Sequence, residues 1–196
     1  TDTTADAGDL HTLNGRTDVA VNAAALTSIS GTFAEVANVY NAAALETPTI
    51  TGLGNEAITV ASGGGGTNGL TVTEANTYAA YSTGSLKATV EARTLAQYDA
   101  ITETGNALAF DVEDDTVVAA TLNNFRTMTT GVVNVQAGTI NGSLSDIAAL
   151  YADQTAGTVS GLGAETIGMT DTGTVAASDL NVIDGINATA FSAATV

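Results

Sequence analysis

Gly31–Tyr40 (G-T-F-A-E-V-A-N-V-Y) and Gly142–Tyr151 (G-S-L-S-D-I-A-A-L-Y) are two spellings of one segment, 111 positions apart. Ile50–Ile58 (I-T-G-L-G-N-E-A-I) is answered in the same way by Val159–Ile167 (V-S-G-L-G-A-E-T-I). An internal repeat limits the possible folds more than any other feature of this chain. A repeated supersecondary unit buries its apolar face against its neighbouring copies rather than around one centre.

Two kinds of short helix are predicted to alternate. The A segments are Asp9–Leu13, Glu74–Tyr78, Thr121–Phe125 and Asp179–Ile183, each with apolar residues three apart on one face. Ser178 and Thr73 are read as their N-caps, with Gly8 and Ala120 as weaker equivalents. The B segments open on Thr32-x-x-Glu35, Thr94-x-x-Gln97 and Ser143-x-x-Asp146, capping boxes in which hydroxyl and acid or amide serve each other's backbone N–H. Their apolar stripes are Phe33, Val36, Val39 and Tyr40; Leu95, Tyr98 and Ile101; and Leu144, Ile147, Leu150 and Tyr151.

Alternating apolar and hydroxyl residues predict strands at Val19–Asn22, Thr49–Thr51, Ala57–Val60, Leu70–Thr73, Ser85–Val90, Ala107–Val112, Val132–Val135, Thr158–Ser160, Thr166–Met169 and Thr174–Ala177. From A to B the first apolar positions are 23, 20 and 22 residues apart; from B to A they are 42, 27 and 36. Leu10 to Leu180 spans 170 residues, about 21 for each of eight coils. The expected fold is therefore a single repeat domain, a β-solenoid with short helices in its coils. Its units are read at about 1–66, 67–114, 115–172 and a partial 173–196. The scarcity of large side chains fits a narrow interior, since aromatics are only 5% and tryptophan is absent.

Twenty-one acids face only Arg16, Lys87, Arg93 and Arg126, for a net charge of −17. Phosphate binding needs clustered cations, so nucleic acid is excluded as a partner, and anionic membrane surfaces with it. No apolar run is long enough to insert into a membrane. Without cysteine there is no disulfide, thiolate metal site or cysteine nucleophile. The lone histidine, His11, falls at a position held by Asn76, Asn123 and Asn181 in the other A segments and reads as a repeat surface position. No triad can be built on it, and the chain is not expected to be an enzyme. The glycine run Ser62–Gly69 lacks the Lys-Ser/Thr of a phosphate cradle and reads as a flexible surface loop.

One acidic cluster stands out. In Asp111-Val112-Glu113-Asp114-Asp115, strand alternation would put Asp111 and Glu113 on one face, with Asp114 and Asp115 at the following turn. Hard oxygen ligands at this density make the four a candidate calcium site; the competing reading is a solvated acidic turn. No cofactor is required, and Asp171, Glu56 and Glu165 are weaker acid candidates. Threonine pairs such as Thr71/Thr73 and Thr127/Thr129 fall at different repeat positions and would not stack into one plane. Asn141-Gly142-Ser143 and Asn187-Ala188-Thr189 match the glycosylation sequon.

The segment Thr174–Gly185 (T-V-A-A-S-D-L-N-V-I-D-G), with Thr129–Val135 and the Gly-Leu-Gly-x-Glu element, resembles tandem repeats of very large secreted cell-surface proteins of aquatic bacteria, cyanobacteria especially. Such repeats often stand beside haemolysin-type calcium-binding modules. The resemblance implies an extracellular or cell-surface location and a structural or adhesive role. Neither end reads as a polar cap, so either the chain is an excerpt from a longer array or, as expected here, copies stack head to tail as a homo-oligomer: a filament, sheath or surface layer. The alternatives are an adhesin or phage-fibre shaft and, third, a polysaccharide lyase, for which four scattered cations supply little of a cleft.

Overall fold

A Thr, Ser or Asp whose side chain can serve the first free N–H groups starts a helix wherever an apolar stripe follows, and this chain offers that arrangement repeatedly. In the computed structural model, residues 2–66, 68–172, 174 and 176–187 are described. They form β1 (Thr4–Asp6), α1 (Ala7–Asn14), β2 (Val21–Asn22), β3 (Ser28–Thr32), α2 (Phe33–Ala43), β4 (Ile50–Thr51), β5 (Ala57–Ser62) and α3 (Val72–Ala79). After these come β6 (Leu86–Thr89), α4 (Leu95–Tyr98) and β7 (Ala107–Val112). Then follow β8 (Thr116–Val118), α5 (Ala119–Arg126), β9 (Val133–Val135), β10 (Thr139–Gly142), α6 (Leu144–Ala156), β11 (Val159–Ser160), β12 (Thr166–Met169) and α7 (Ala177–Asp184).

All seven predicted helices form. The B helices start at their predicted caps: Glu35 N donates to Thr32 Oγ1 and Thr32 N to Glu35 Oε2, at 3.4 and 2.8 Å. Ser143 Oγ likewise accepts from Asp146 N. The A helices all begin two residues earlier than predicted, behind Asp6, Thr71, Val118 and Ala176. The reason lies upstream: β1 and β8 run straight into α1 and α5. Predicted strand Leu70–Thr73 is lost to the same effect, because Thr71 and Glu74 close a capping box there and only Leu70 keeps a strand bridge, to Val90.

The chain divides into two compact units, Thr1–Glu91 with Ala100–Leu108, and Ala92–Asp99 with Ala109–Val196. They repeat one order of elements. β1 through α3 in the first corresponds to β8 through α7 in the second, with β6, α4 and β7 between. Internal pairing repeats too: β1-β3-β5 and β2-β4 in the first unit match β8-β10-β12 and β9-β11 in the second, all parallel. Inward columns are continuous, Ile29–Ile58–Leu86 in one and Val117–Ile140–Ile167 in the other, and all six side chains are buried.

These pairings overturn the β-solenoid expectation. The fold is mixed α/β: a seven-stranded parallel sheet ordered β1-β3-β5-β6-β7-β9-β11, a three-stranded sheet β12-β10-β8, a pair β2-β4, and the seven helices. Coils of about 21 residues are not what the strands use. Residues paired within the strands lie 23 positions apart (Phe110 to Val133) to 30 apart (Thr32 to Ser62), and the isolated bridges Leu70–Val90 and Arg93–Val112 are closer, at 20 and 19. Parallel neighbours require a crossover of a dozen residues or more, and here a helix of up to 13 residues occupies most crossovers. Averaging over helix starts hid that longer period.

Candidate functional site

The four acids predicted to hold calcium are not gathered. Strand β7 ends at Val112, so Glu113 leaves the alternation and does not share a strand face with Asp111. Asp111 Oδ1 accepts from Asn134 Nδ2 at 2.7 Å, and Asn134 Oδ1 accepts from Ser160 Oγ at 3.2 Å, a polar row across β7, β9 and β11. Asp114 Oδ2 accepts from Leu95 N at 2.7 Å, at the start of α4. Glu113 and Asp115 are exposed, and the Asp115 carbonyl accepts from Gly138 N and Thr139 N. Among the described residues no group of three His, Asp or Glu side chains is placed to hold a metal ion.

Asp171 repeats the task of Asp114, its Oδ2 accepting from Leu144 N at 2.6 Å. Each acid comes from the crossover after its helix and satisfies a first-turn N–H that no intrahelical partner can reach. Asp114→Ala should therefore cost about 1 kcal/mol of stability, as loss of a helix cap does, and Asp114→Asn less. Urea unfolding of the two variants checks this, and equal losses would refute the capping role.

The Gly-Leu-Gly-x-Glu segment carries the most strongly organised polar site in each unit. Glu56 is 0% and Glu165 3% exposed. The Tyr40 hydroxyl donates to Glu56 Oε1, and Glu56 Oε2 accepts from Gly54 N at 2.9 Å and Asn55 N at 3.1 Å. Tyr151 and Glu165 repeat this arrangement, with Gly163 N and Ala164 N as the backbone donors. The loop can fold back on its own glutamate because the outer glycines, Gly52 and Gly54 in one copy and Gly161 and Gly163 in the other, take positive φ. In the second unit Asn187 Nδ2 adds bonds to the Tyr151 hydroxyl and the Glu165 carbonyl. Asn187 is therefore engaged within the fold; the rest of its sequon lies outside the described residues. Burial first, and the carboxylate bond second, push the Tyr40 and Tyr151 hydroxyls well above the usual tyrosine range.

Tyr98, which the sequence shows without a following Gly-Leu-Gly-x-Glu, donates instead to the Asp111 carbonyl at 2.9 Å. The sequence signal for the tyrosine-to-glutamate pairing is a Tyr 14 or 16 positions before a Glu, present in both copies. His11 is exposed on α1. Its repeat equivalents do more than line a surface: Asn76 and Asn123 donate to the carbonyls of Ala100 and Asp146 at 2.8 and 3.0 Å. Gly65 N, in the glycine run, donates to the Glu74 carboxylate at 2.9 Å. The threonine pairs do not align, but Thr116, Thr139 and Thr166 stand in one column across β8, β10 and β12.

The first unit leaves one face open. A cavity of about 370 Å³ lies between β1, α1 and β2, with Leu10, Leu13 and Val21 in its wall and Asp2, Asp6 and Asp9 at its margin. Leu13 is 53% and the nearby Val19 75% exposed. No protein-family model, curated protein or solved structure matches the chain. Among the described residues, no helix is long and apolar enough to cross a membrane.

Proposed function

We propose that this chain is a structural protein of the cell surface or extracellular space, one whose copies associate into a filament, sheath or layer, and that it is not an enzyme. The observation behind this reading is that the polar residues the repeat singles out are engaged within the fold. Glu56 and Glu165 serve Tyr40 and Tyr151, and Asp114 and Asp171 serve helix starts. What is duplicated is architecture, which suits a part that associates with further copies of itself. The resemblance to repeats of large bacterial surface proteins points the same way.

The charge sets the conditions for association. Copies carrying −17 repel one another unless counter-ions intervene. Screening shortens from about 30 Å at 0.01 M salt to about 3 Å at 1 M. Calcium enters this reading as a counter-ion between acidic surfaces. Sedimentation velocity should show monomer in low salt and growing assemblies as sodium chloride is raised toward 1 M, with millimolar calcium acting at lower ionic strength. Monomer at every protein concentration, with and without both salts, would sink the proposal.

A further inference from the structure

The two units differ in what covers their first helix. α1 and α5 are equivalent at an offset of 112, which pairs Leu10 with Leu122, Leu13 with Phe125, Val21 with Val133 and Ala23 with Val135. In the second unit this face is closed. Leu122, Val133 and Val135 are 0% and Phe125 6% exposed. Strand β7 pairs in parallel with β9, setting Phe110 against Val133 and Val112 against Val135. Tyr98 from α4 stacks on Phe125 with ring centroids 5.3 Å apart, and Phe110 meets the same ring edge-on at 5.0 Å. One strand and one helix together make the cover. In the first unit, β1 pairs only with β3 and β2 only with β4 among the described residues, and Leu13 and Val19 face outward.

We infer that the α1–β2 face of the first unit seats a second copy of this chain, which brings α7 and the strand edges beside it to cover Leu10, Leu13, Val19 and Val21. This rests on the reading that copies associate. The second copy has the matching parts. Strands β11 and β12 each pair on one side only among the described residues, and both run parallel to their neighbours, the sense in which β7 pairs with β9. Helix α7 carries Val182, 36% exposed, and packs on α6 as α6 packs on α5 and α2 on α1. A second copy's α7 against α1 continues that succession of helix on helix. A hydrogen-bonded strand edge restores the cover that β7 provides for β9. Asp6 and Asp9 on one side and Asp179 and Asp184 on the other are like charges at the rim, so the contact forms only under screening.

The chain has no cysteine, so engineered thiols report proximity cleanly. Leu13→Cys and Val182→Cys proteins, mixed in high salt and oxidised, should yield a mixed disulfide-linked pair. A Leu45→Cys control, 53% exposed elsewhere, should not pair with Val182→Cys above background. Leu13→Asp with Val19→Asp should raise the concentration needed for assembly at least tenfold while leaving the monomer's thermal transition in place. If assemblies form but the mixed pair does not exceed the Leu45 control, or Leu13→Cys links chiefly to itself, the assigned seat is wrong while association stands. Wild-type chain that never assembles would overturn both.

Discussion

Alkali should unfold this protein steeply, beginning near pH 10. Tyr40, Tyr78, Tyr98 and Tyr151 are buried, and burial holds each hydroxyl above the ordinary tyrosine range. Carboxylate bonds reinforce the shift at Tyr40 and Tyr151. A group whose folded pKa is raised contributes stability that is fully present below its unfolded pKa, about 10 for tyrosine. That stability is lost as pH rises above this value, because the unfolded chain releases a proton that the folded chain keeps. Each fully shifted tyrosine costs about 1.4 kcal/mol per pH unit in that range. Four together give a slope of roughly 5 kcal/mol per pH unit, enough to exhaust a typical domain's stability within two to three units. Tyrosinate absorbance and far-UV circular dichroism should therefore change together. Gradual ionisation with the secondary structure intact would contradict it.

Removing Glu56 should be the most damaging single substitution in the first unit. Glu56→Ala leaves the Tyr40 hydroxyl and the Gly54 and Asn55 N–H groups without their acceptor, in a site closed to water. Each stranded donor costs about 1–3 kcal/mol, so the loss should reach roughly 3–5 kcal/mol. Glu165→Ala should cost a similar amount in the second unit. Tyr40→Phe should be milder, since the glutamate keeps its two backbone donors. Thermal unfolding of the three variants gives the comparison; a Glu56→Ala protein as stable as Tyr40→Phe would mean that the backbone donors find other partners.

Local chemistry was readable in this chain, and medium-range partnership was not. The helices were legible because caps and apolar stripes sit within a few residues of each other, as in Thr32-x-x-Glu35. Strands β1, β3, β8 and β10 are not legible because each runs directly into a helix, or, for β10, to within one residue of it, so the helix signal masks the short strand before it. The fold class failed for a related reason. Steps between helix starts average over crossovers of unequal length, whereas the strand registers keep to 23–30 residues. At the candidate site the acids were visible, but their partners were not. Asp114 reaches back 19 residues to Leu95, Asp171 reaches back 27 to Leu144, and no spacing rule within one element reveals such a reach. The repeat did announce the Gly-Leu-Gly-x-Glu element, and only the geometry shows why its glutamate is needed.

The short reach of every strand pairing bears on how the chain acquires its structure in time. Closing a loop costs entropy that grows only slowly with length, and among the described residues no strand waits for a partner more than about a seventh of the chain away. Such contacts favour fast, sequential folding. A chain emerging N-terminus first can set β3 on β1, then β5 on β3, without waiting for its far end. The acid caps impose the one delay. α4 and α6 receive Asp114 and Asp171 only after the next crossover has emerged, so each of these helices is completed by the segment that follows it. Growth along the chain is thus ratcheted at these two helices, each closed by a segment that emerges after it.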